Sequence, residues 1–172
     1  MVGRVRSAAH VARRDPELIV LTVRVWVLLV VMRGVITALP MRRITAHLGA
    51  PMQETPTEGL RADQLRYARR AGWAIAKAAR ITPTNSNCYP QALAGRWLLH
   101  RKRIPSTLYY GAAFDDDEGR TLQAHVWLRC GPHIITGGGP VRRRFAPLTW
   151  YADNRAERRT TTPPPRTQRV QT

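Results

Sequence analysis

The chain has 172 residues, of which 44% are hydrophobic, and a formal net charge of +17. This length allows one domain with a proper core, or such a domain plus a helical extension. The two cysteines, Cys88 and Cys130, exclude a disulfide framework and favour a reducing, cytoplasmic compartment. The positive charge favours an anionic partner, with a merely solvated surface as the alternative. No secretory signal precedes the first apolar run.

The first predicted element is a long apolar helix. Asp15, Pro16 and Glu17 provide an N-cap, a rigid first turn and a negative charge near the positive helix end. The apolar stretch from Leu18 to Met41 approaches the length of a membrane span. Arg24 lies within it, and an arginine in hydrocarbon costs about 2.5 kcal/mol or more. We therefore predict a buried or membrane-surface helix rather than a transmembrane one.

Further helices are predicted before residue 102. A short helix over residues 42–48 and a loop over residues 49–59 lead to a helix over residues 60–80, whose apolar residues recur at helical spacing. Its predicted buried face carries Leu65, Ala68, Gly72, Ile75, Ala76 and Ala79. The last helix begins near Cys88, because Pro90 is tolerated only in a first turn.

From Ser106 the hydrophobic residues alternate with a period of two, which predicts strands. These strands cover residues 107–114, 121–129 and 133–136, and residues 145–151 form a last strand or docking segment. In the second strand the predicted core face carries Leu122, Ala124, Val126 and Leu128. Its other face carries Gln123, His125, Trp127 and Arg129. The predicted fold class is α+β, with N-terminal helices and then a helix packed on a small antiparallel sheet.

Cys88 and His125 are the residues that indicate a reaction. Free N–H groups and the positive dipole end favour a thiolate at a helix N-terminus, and the same N–H groups stabilise an oxyanion. A lone cysteine is more often a buried structural residue. His125 lies on the predicted non-core face, where an imidazole stays accessible for general base catalysis. If the two side chains meet, the chain is a cysteine enzyme.

Three segments carry a family resemblance: CYPQAL at residues 88–93, AHVW at 124–127 and IITGG at 134–138. Together they resemble the separate leader-peptidase half of the bacterial lasso-peptide biosynthesis B protein, a transglutaminase-like cysteine protease. The resemblance covers about residues 60–151. It implies a papain-like core in a cofactor-independent cysteine endopeptidase that removes the leader from a lasso precursor. It also implies that Cys88 is the nucleophile and that His125 is first the general base and then the acid.

The resemblance implies partners as well. These are the precursor's leader peptide, a separate leader-recognition protein, and a cyclase that uses the freed amine in antibiotic biosynthesis.

Fused relatives carry the recognition domain at the N-terminus, whereas residues 1–59 are apolar and helical here. The expected organisation is a lead-in over residues 1–59 that contacts a membrane surface or a partner, a peptidase core over 60–152 and a disordered basic tail over 153–172. Nucleic acid is not an expected partner, because the arginines form no stripe with stacking aromatics.

In the resembled family the third catalytic residue is an aspartate on the strand after the histidine. Here that position is Thr136, whose hydroxyl would orient the imidazole more weakly than a carboxylate does. Asp153 and the carboxylates of the Asp115–Glu118 loop are further candidates, and a Cys–His dyad stays open. The residues expected to line the substrate pocket or to support the pair are Asn87, Gln91, Gln123 and Trp127.

Three alternatives remain open from the sequence. Cys88, His125, Cys130 and His133 are the ligand types of a structural zinc site, and Cys130 and His133 could pair, although the spacing of Cys88 and His125 matches no usual zinc module. The charge and the apolar run would also suit a non-enzymatic basic protein that binds membrane or nucleic acid. The same Cys–His pair could instead carry out amide transfer or deamidation, since a fold does not fix a reaction.

Overall fold

The computed structural model describes residues 16–82, 87–114 and 121–153. Its helices and strands are, in chain order, α1 (Pro16–Ala38), α2 (Met41–Thr45), β1 (Ala50–Pro51), α3 (Ala62–Ile81), α4 (Cys88–Arg101), β2 (Ser106–Phe114), β3 (Leu122–Cys130), β4 (His133–Thr136), a 3₁₀ helix (Pro140–Arg144) and β5 (Ala146–Asp153). Helices followed by an antiparallel sheet confirm the predicted α+β class. The loop carboxylates at residues 115–118 and the predicted tail from residue 154 lie outside the described residues.

The five strands form one antiparallel sheet in the order β1-β5-β2-β3-β4. β3 pairs with β2 along its whole length, from Leu122 to Arg129. β4 pairs only with the end of β3, from Leu128 to Cys130, across a turn at residues 131–132. The first half of β3, which carries His125, therefore has a paired strand on one side only within the described chain.

Two hydrophobic clusters form the core, one between the helices and the sheet and one among the helices. One joins α4 to the sheet, and its buried strand residues include Leu108, Val126 and Leu128. The other joins α1, α3 and α4 through the Val25, Leu28 and Leu29 side chains of α1 and through three alanines and one isoleucine of α3. The buried residues of α3 are Ala68, Ala71, Ala74, Ile75 and Ala78. The predicted α3 face was wrong at Ala76, which is exposed because the helices lie against the alanine-rich side.

α4 approaches the sheet closely at Gly95. A Cβ at this position would lie 2.8 Å from the side chain of Leu128 and 3.3 Å from that of Ile75. A larger residue would have to displace the Leu128 and Ile75 side chains, so Gly95 allows α4 to pack closely on β3 and α3.

The predicted boundary near residue 60 does not separate two cores. α1 and α2 contribute side chains to the clusters that α4 fills, and β1 adds to the sheet edge by pairing Ala50 with Ala152 of β5. At the other boundary, Asp153 is the last residue of β5 and is 6% exposed, so it belongs to the folded sheet rather than to the predicted tail.

α1 is long and apolar enough to cross a membrane by length and composition. Its 18-residue window has a mean hydropathy of 2.3, and 17% of that window is buried. One side of the helix packs on α3 and α4, while seven large apolar side chains on the other sides are exposed. Those exposed residues are Ile19, Val20, Val23, Trp26, Val27, Val30 and Val31.

Candidate active site

Cys88 is the first residue of α4, where its thiol is free and half-buried at the edge of the α4–sheet cluster. The N-cap residue Asn87 is extended, with φ −69° and ψ −174°, and its side chain makes no cap hydrogen bond. The Asn87 side chain therefore accepts no hydrogen bond from the first-turn N–H groups of α4, so these groups can donate to another acceptor. This arrangement allows those groups to stabilise a thiolate or an oxyanion at Cys88.

The environment of Cys130 differs from that of Cys88. It is 0% exposed within the α4–sheet cluster, and burial raises the pKa of its thiol to about 11. A buried thiol with a raised pKa is neither accessible nor ionised near neutral pH, so Cys130 is a structural residue.

We expect iodoacetamide to alkylate Cys88 at least about a hundredfold faster than Cys130 in the folded protein, because only Cys88 is partly exposed. Peptide mapping by mass spectrometry during the reaction measures both rates. In urea the two rates should converge, which serves as the control. Equal rates in the folded protein would contradict this assignment of the two thiols.

His125 has its ring orientation fixed by a backbone carbonyl. Nε2 lies 2.8 Å from the carbonyl oxygen of Gly137 and can only donate to it, so the neutral ring carries its proton on Nε2. Nδ1 is then the basic nitrogen. Gly137 has φ +68°, and a Cβ there would lie 2.4 Å from the carbonyl oxygen of Val126, so glycine is required where this carbonyl is placed.

The face of β3 that carries His125 is covered over its second half, from Trp127 onward. The rings of Trp127 and Tyr109 are stacked at 5.3 Å, and His125 lies 5.9 Å from Trp127 and 4.9 Å from Phe145. At the far end of this face, the Arg129 guanidinium donates to the Tyr109 hydroxyl and to two backbone carbonyls. The predicted accessible face was therefore wrong at Trp127 and Arg129, which are 3% and 9% exposed.

The structure brings the start of α4 close to His125 along the sheet. The ring of Tyr89 lies 5.6 Å from that of Tyr110, and Tyr110 pairs with Val126, the residue after His125. Side chains alternate across a strand, and Val126 packs in the α4–sheet cluster. Cys88 therefore lies beside the part of β3 that carries His125, but on the opposite face of the sheet. Within the described residues no hydrogen bond joins the two side chains.

Neither predicted third residue contacts His125. Thr136 is 5% exposed on the α4 side of the sheet, where its methyl group faces Gly95, and its hydroxyl has no partner among the described residues. The Asp153 carboxylate is at the other end of the sheet, within 2.6 Å of His100 Nδ1 and paired with Arg96. The group that orients His125 is instead the Gly137 carbonyl, which no side-chain pattern could have identified.

The four residues predicted to line the substrate pocket or support the catalytic pair differ in their exposure to solvent. Asn87 and Gln123 are exposed, and Gln91 is half-buried on α4. Trp127 does not line an open pocket, because Tyr109 covers its ring and the Arg142 guanidinium lies 5.7 Å from its centroid.

The zinc interpretation is not supported. Within residues 16–82, 87–114 and 121–153, no three His, Cys, Asp or Glu side chains come together in a way that could hold a metal ion. Of its four predicted ligands, Cys130 lies inside the hydrophobic core, on the opposite face of β3 from His125.

Comparison with protein families matched more than half of the chain. The family model described as transglutaminase-like superfamily matches residues 31–149. The match begins within α1 and contains Cys88, His125 and four of the five strands in full. No curated protein and no solved structure matches the chain.

Proposed function

Because the chain belongs to the transglutaminase-like superfamily, we propose that it is a cysteine peptidase that removes the leader from a lasso-peptide precursor. The observation that carries this proposal is the half-buried, free Cys88 thiol at the start of α4, where the side chain of the N-cap residue makes no cap hydrogen bond. The superfamily includes cysteine proteases, and the CYPQAL, AHVW and IITGG segments support the lasso leader as the substrate.

In the proposed reaction the Cys88 sulfur attacks the carbonyl carbon at the end of the leader. The thiol proton passes to a base, and the negative oxygen of the tetrahedral intermediate accepts hydrogen bonds from the first-turn N–H groups of α4. The C–N bond then breaks, and the protonated base returns its proton to the leaving amine. Water hydrolyses the thioester, which releases the leader and restores the thiol.

His125 is the proposed base, acting through Nδ1 while Nε2–H donates to Gly137. Since its ring lies on the face opposite α4, the proposal requires the half of β3 that lacks a β4 partner to rearrange when the substrate binds. The side chains of Leu122 and Ala124 in that half are exposed, so the movement is opposed by the pairing with β2 and by the contacts of His125 with Trp127 and Phe145 rather than by packing of these two residues. We further propose that a separate leader-recognition protein delivers the substrate and that a cyclase takes the product, in the cytoplasm.

The experiment uses the full chain, a candidate precursor encoded near its gene and the accompanying leader-recognition protein. Mass spectrometry should show two fragments whose masses sum to that of the precursor plus one water. A precursor that stays intact under these conditions, with the protein shown to be folded, would contradict the proposal. Fragments joined to another amine without gain of water would indicate amide transfer instead.

We expect His125→Ala to reduce kcat for precursor cleavage by about 10²- to 10⁴-fold with a smaller change in KM, because general base catalysis supplies that factor. His125→Gln serves as a second variant, since its amide can still donate to the Gly137 carbonyl and preserve the fold. The pH profile of kcat measures the role directly, because the limb due to the base should disappear in both variants. Unchanged kcat and an unchanged profile would assign the base to another group.

The placement of Cys88 and His125 on opposite faces favours a second candidate function, a non-catalytic binding domain with the superfamily fold. Such a protein would bind the leader peptide or the membrane without cleaving anything. Equal leader affinity in the wild type and in Cys88→Ala, together with no cleavage by either, would support it.

A further inference from the structure

The exposed side of α1 is a continuous apolar surface that no other described element covers. Its residues recur three or four positions apart, as in Ile19, Val23, Trp26 and Val30, so they lie along one side of the helix. Val23 is 58% and Val27 is 50% exposed. An uninterrupted apolar surface of this kind marks an interaction site rather than an ordinary solvated surface. Most of it precedes residue 31, where the family match begins, so it lies largely outside the matched residues.

Cations border this surface. At about 100° per residue, Arg24 and Arg33 fall at its two borders, between the exposed and the buried sides of α1. Beside Arg24, a groove of about 750 Å³ between α1, α3 and α4 carries Arg101 and Lys102 as well. The one carboxylate of α1 is Glu17, and it lies 3.7 Å from Arg70 at the end of the helix. The border is therefore strongly positive.

The packing of α1 indicates an orientation parallel to a membrane rather than across it. Val25, Leu28 and Leu29 are buried against α3 and α4, so a spanning α1 would carry these helices into the hydrocarbon. α3 carries four arginines and α4 carries two, and each arginine would cost about 2.5 kcal/mol or more there. Lying in the interface, the same helix buries its exposed valines while its border cations stay among the phosphates.

We propose that α1 docks the folded protein on the surface of an anionic phospholipid bilayer. The apolar surface inserts at the boundary of the acyl chains. Lipid phosphates are attracted to the border cations, which are Arg24, Arg33, Arg101 and Lys102. The positions of the cations distinguish between two candidates that could bind this surface, a membrane and an acidic partner protein. The cations flank a broad apolar surface on both sides, which matches a plane of phosphates above hydrocarbon. This inference is independent of the proposed peptidase activity.

The test is co-flotation of the purified full chain with preformed vesicles of phosphatidylcholine alone or mixed with phosphatidylglycerol. We expect binding to the mixed vesicles at low salt and release at high salt. Arg24→Gln should weaken binding about fivefold, and Val27→Ser about tenfold. Val27 is half exposed and Arg24 is exposed, so both variants should fold, which circular dichroism verifies.

Matched controls lie on the sheet side of the molecule. Leu148→Ser changes a residue that is 64% exposed, and Arg143→Gln changes an exposed cation, so neither should alter vesicle binding. Equal losses in the controls and the α1 variants would overturn the proposal, because binding would then depend on total charge alone. Absence of binding to the anionic vesicles would also overturn it, as would binding that persists through high-salt and alkaline washes, which a spanning helix would show. Loss of leader-recognition protein binding in Val27→Ser, with no vesicle binding, would assign the surface to that protein.

Discussion

We expect Arg96→Ala to lower the free energy of unfolding by about 3–5 kcal/mol, because it leaves a buried carboxylate without its guanidinium. Arg96 and Asp153 side chains are 6% and 7% exposed, and Arg96 donates hydrogen bonds to the Asp153 carboxylate and to the Leu48 carbonyl. These contacts join α4 to the end of β5 and to the segment before β1. Urea unfolding followed by circular dichroism measures the loss.

The pH dependence distinguishes this ion pair from simple loss of packing. Burial acts to raise the pKa of Asp153, but Arg96 and the His100 hydrogen bond outweigh it and hold the pKa below its usual value of 3.8. A lowered folded-state pKa stabilises the protein above the unfolded value, and this contribution disappears as the pH falls through the folded value. The difference between wild type and Arg96→Ala should therefore shrink below pH 3.8.

Arg103→Ala is the matched control, since Arg103 is exposed just after α4 and should change stability by no more than about 0.5 kcal/mol. The double variant Arg96→Met with Asp153→Leu should recover part of the loss, because no buried charge remains unpaired. If Arg96→Ala is as stable as Arg103→Ala, the buried pair does not hold α4 to β5.

We expect Cys88→Ala to reduce kcat/KM for precursor cleavage by about 10⁴-fold or more, because no other described thiol can replace the nucleophile. The only other cysteine, Cys130, is buried on β3 with a pKa raised to about 11. Cys88 is half-buried at a helix end, so replacing it by alanine removes one sulfur atom without opening the core. A discontinuous mass-spectrometric assay of precursor cleavage measures the rate.

Cys130→Ala is the control for this variant. It removes a sulfur from the core and should lower stability slightly while leaving the rate of cleavage by the folded protein unchanged. A loss of the same size in both variants would show that the effect comes from stability. Undiminished cleavage by Cys88→Ala would rule out the proposed nucleophile.

Local signals made much of this fold predictable. Pro90 fixed the first turn of α4, and alternation of hydrophobic residues located β2, β3 and β4 to within one residue. Both signals depend on residues adjacent in the chain, where backbone geometry determines the outcome. The two-residue strand β1 was predicted as loop, because its only support is long-range pairing with β5.

Long-range packing decided what the sequence could not predict. The alternation of residues along β3 correctly predicted that His125 and Val126 lie on opposite faces of the strand. It did not reveal that α4, which carries Cys88, packs on the face of Val126. Arg96 and Asp153 are 57 positions apart in the chain, and only the fold brings them together beside His100. The orientation of His125 depends on a backbone carbonyl at Gly137, which leaves no signature in side-chain types.

The central claim is that the Cys88 thiol performs the cleavage, and reversible modification of the wild-type protein tests it most directly. Methyl methanethiosulfonate should convert the accessible Cys88 to a small methyl disulfide and leave the buried Cys130 unmodified. Precursor cleavage should fall in proportion to the modified fraction of Cys88, reach zero at full modification and return after dithiothreitol. Full cleavage by protein in which every Cys88 is modified would contradict the claim.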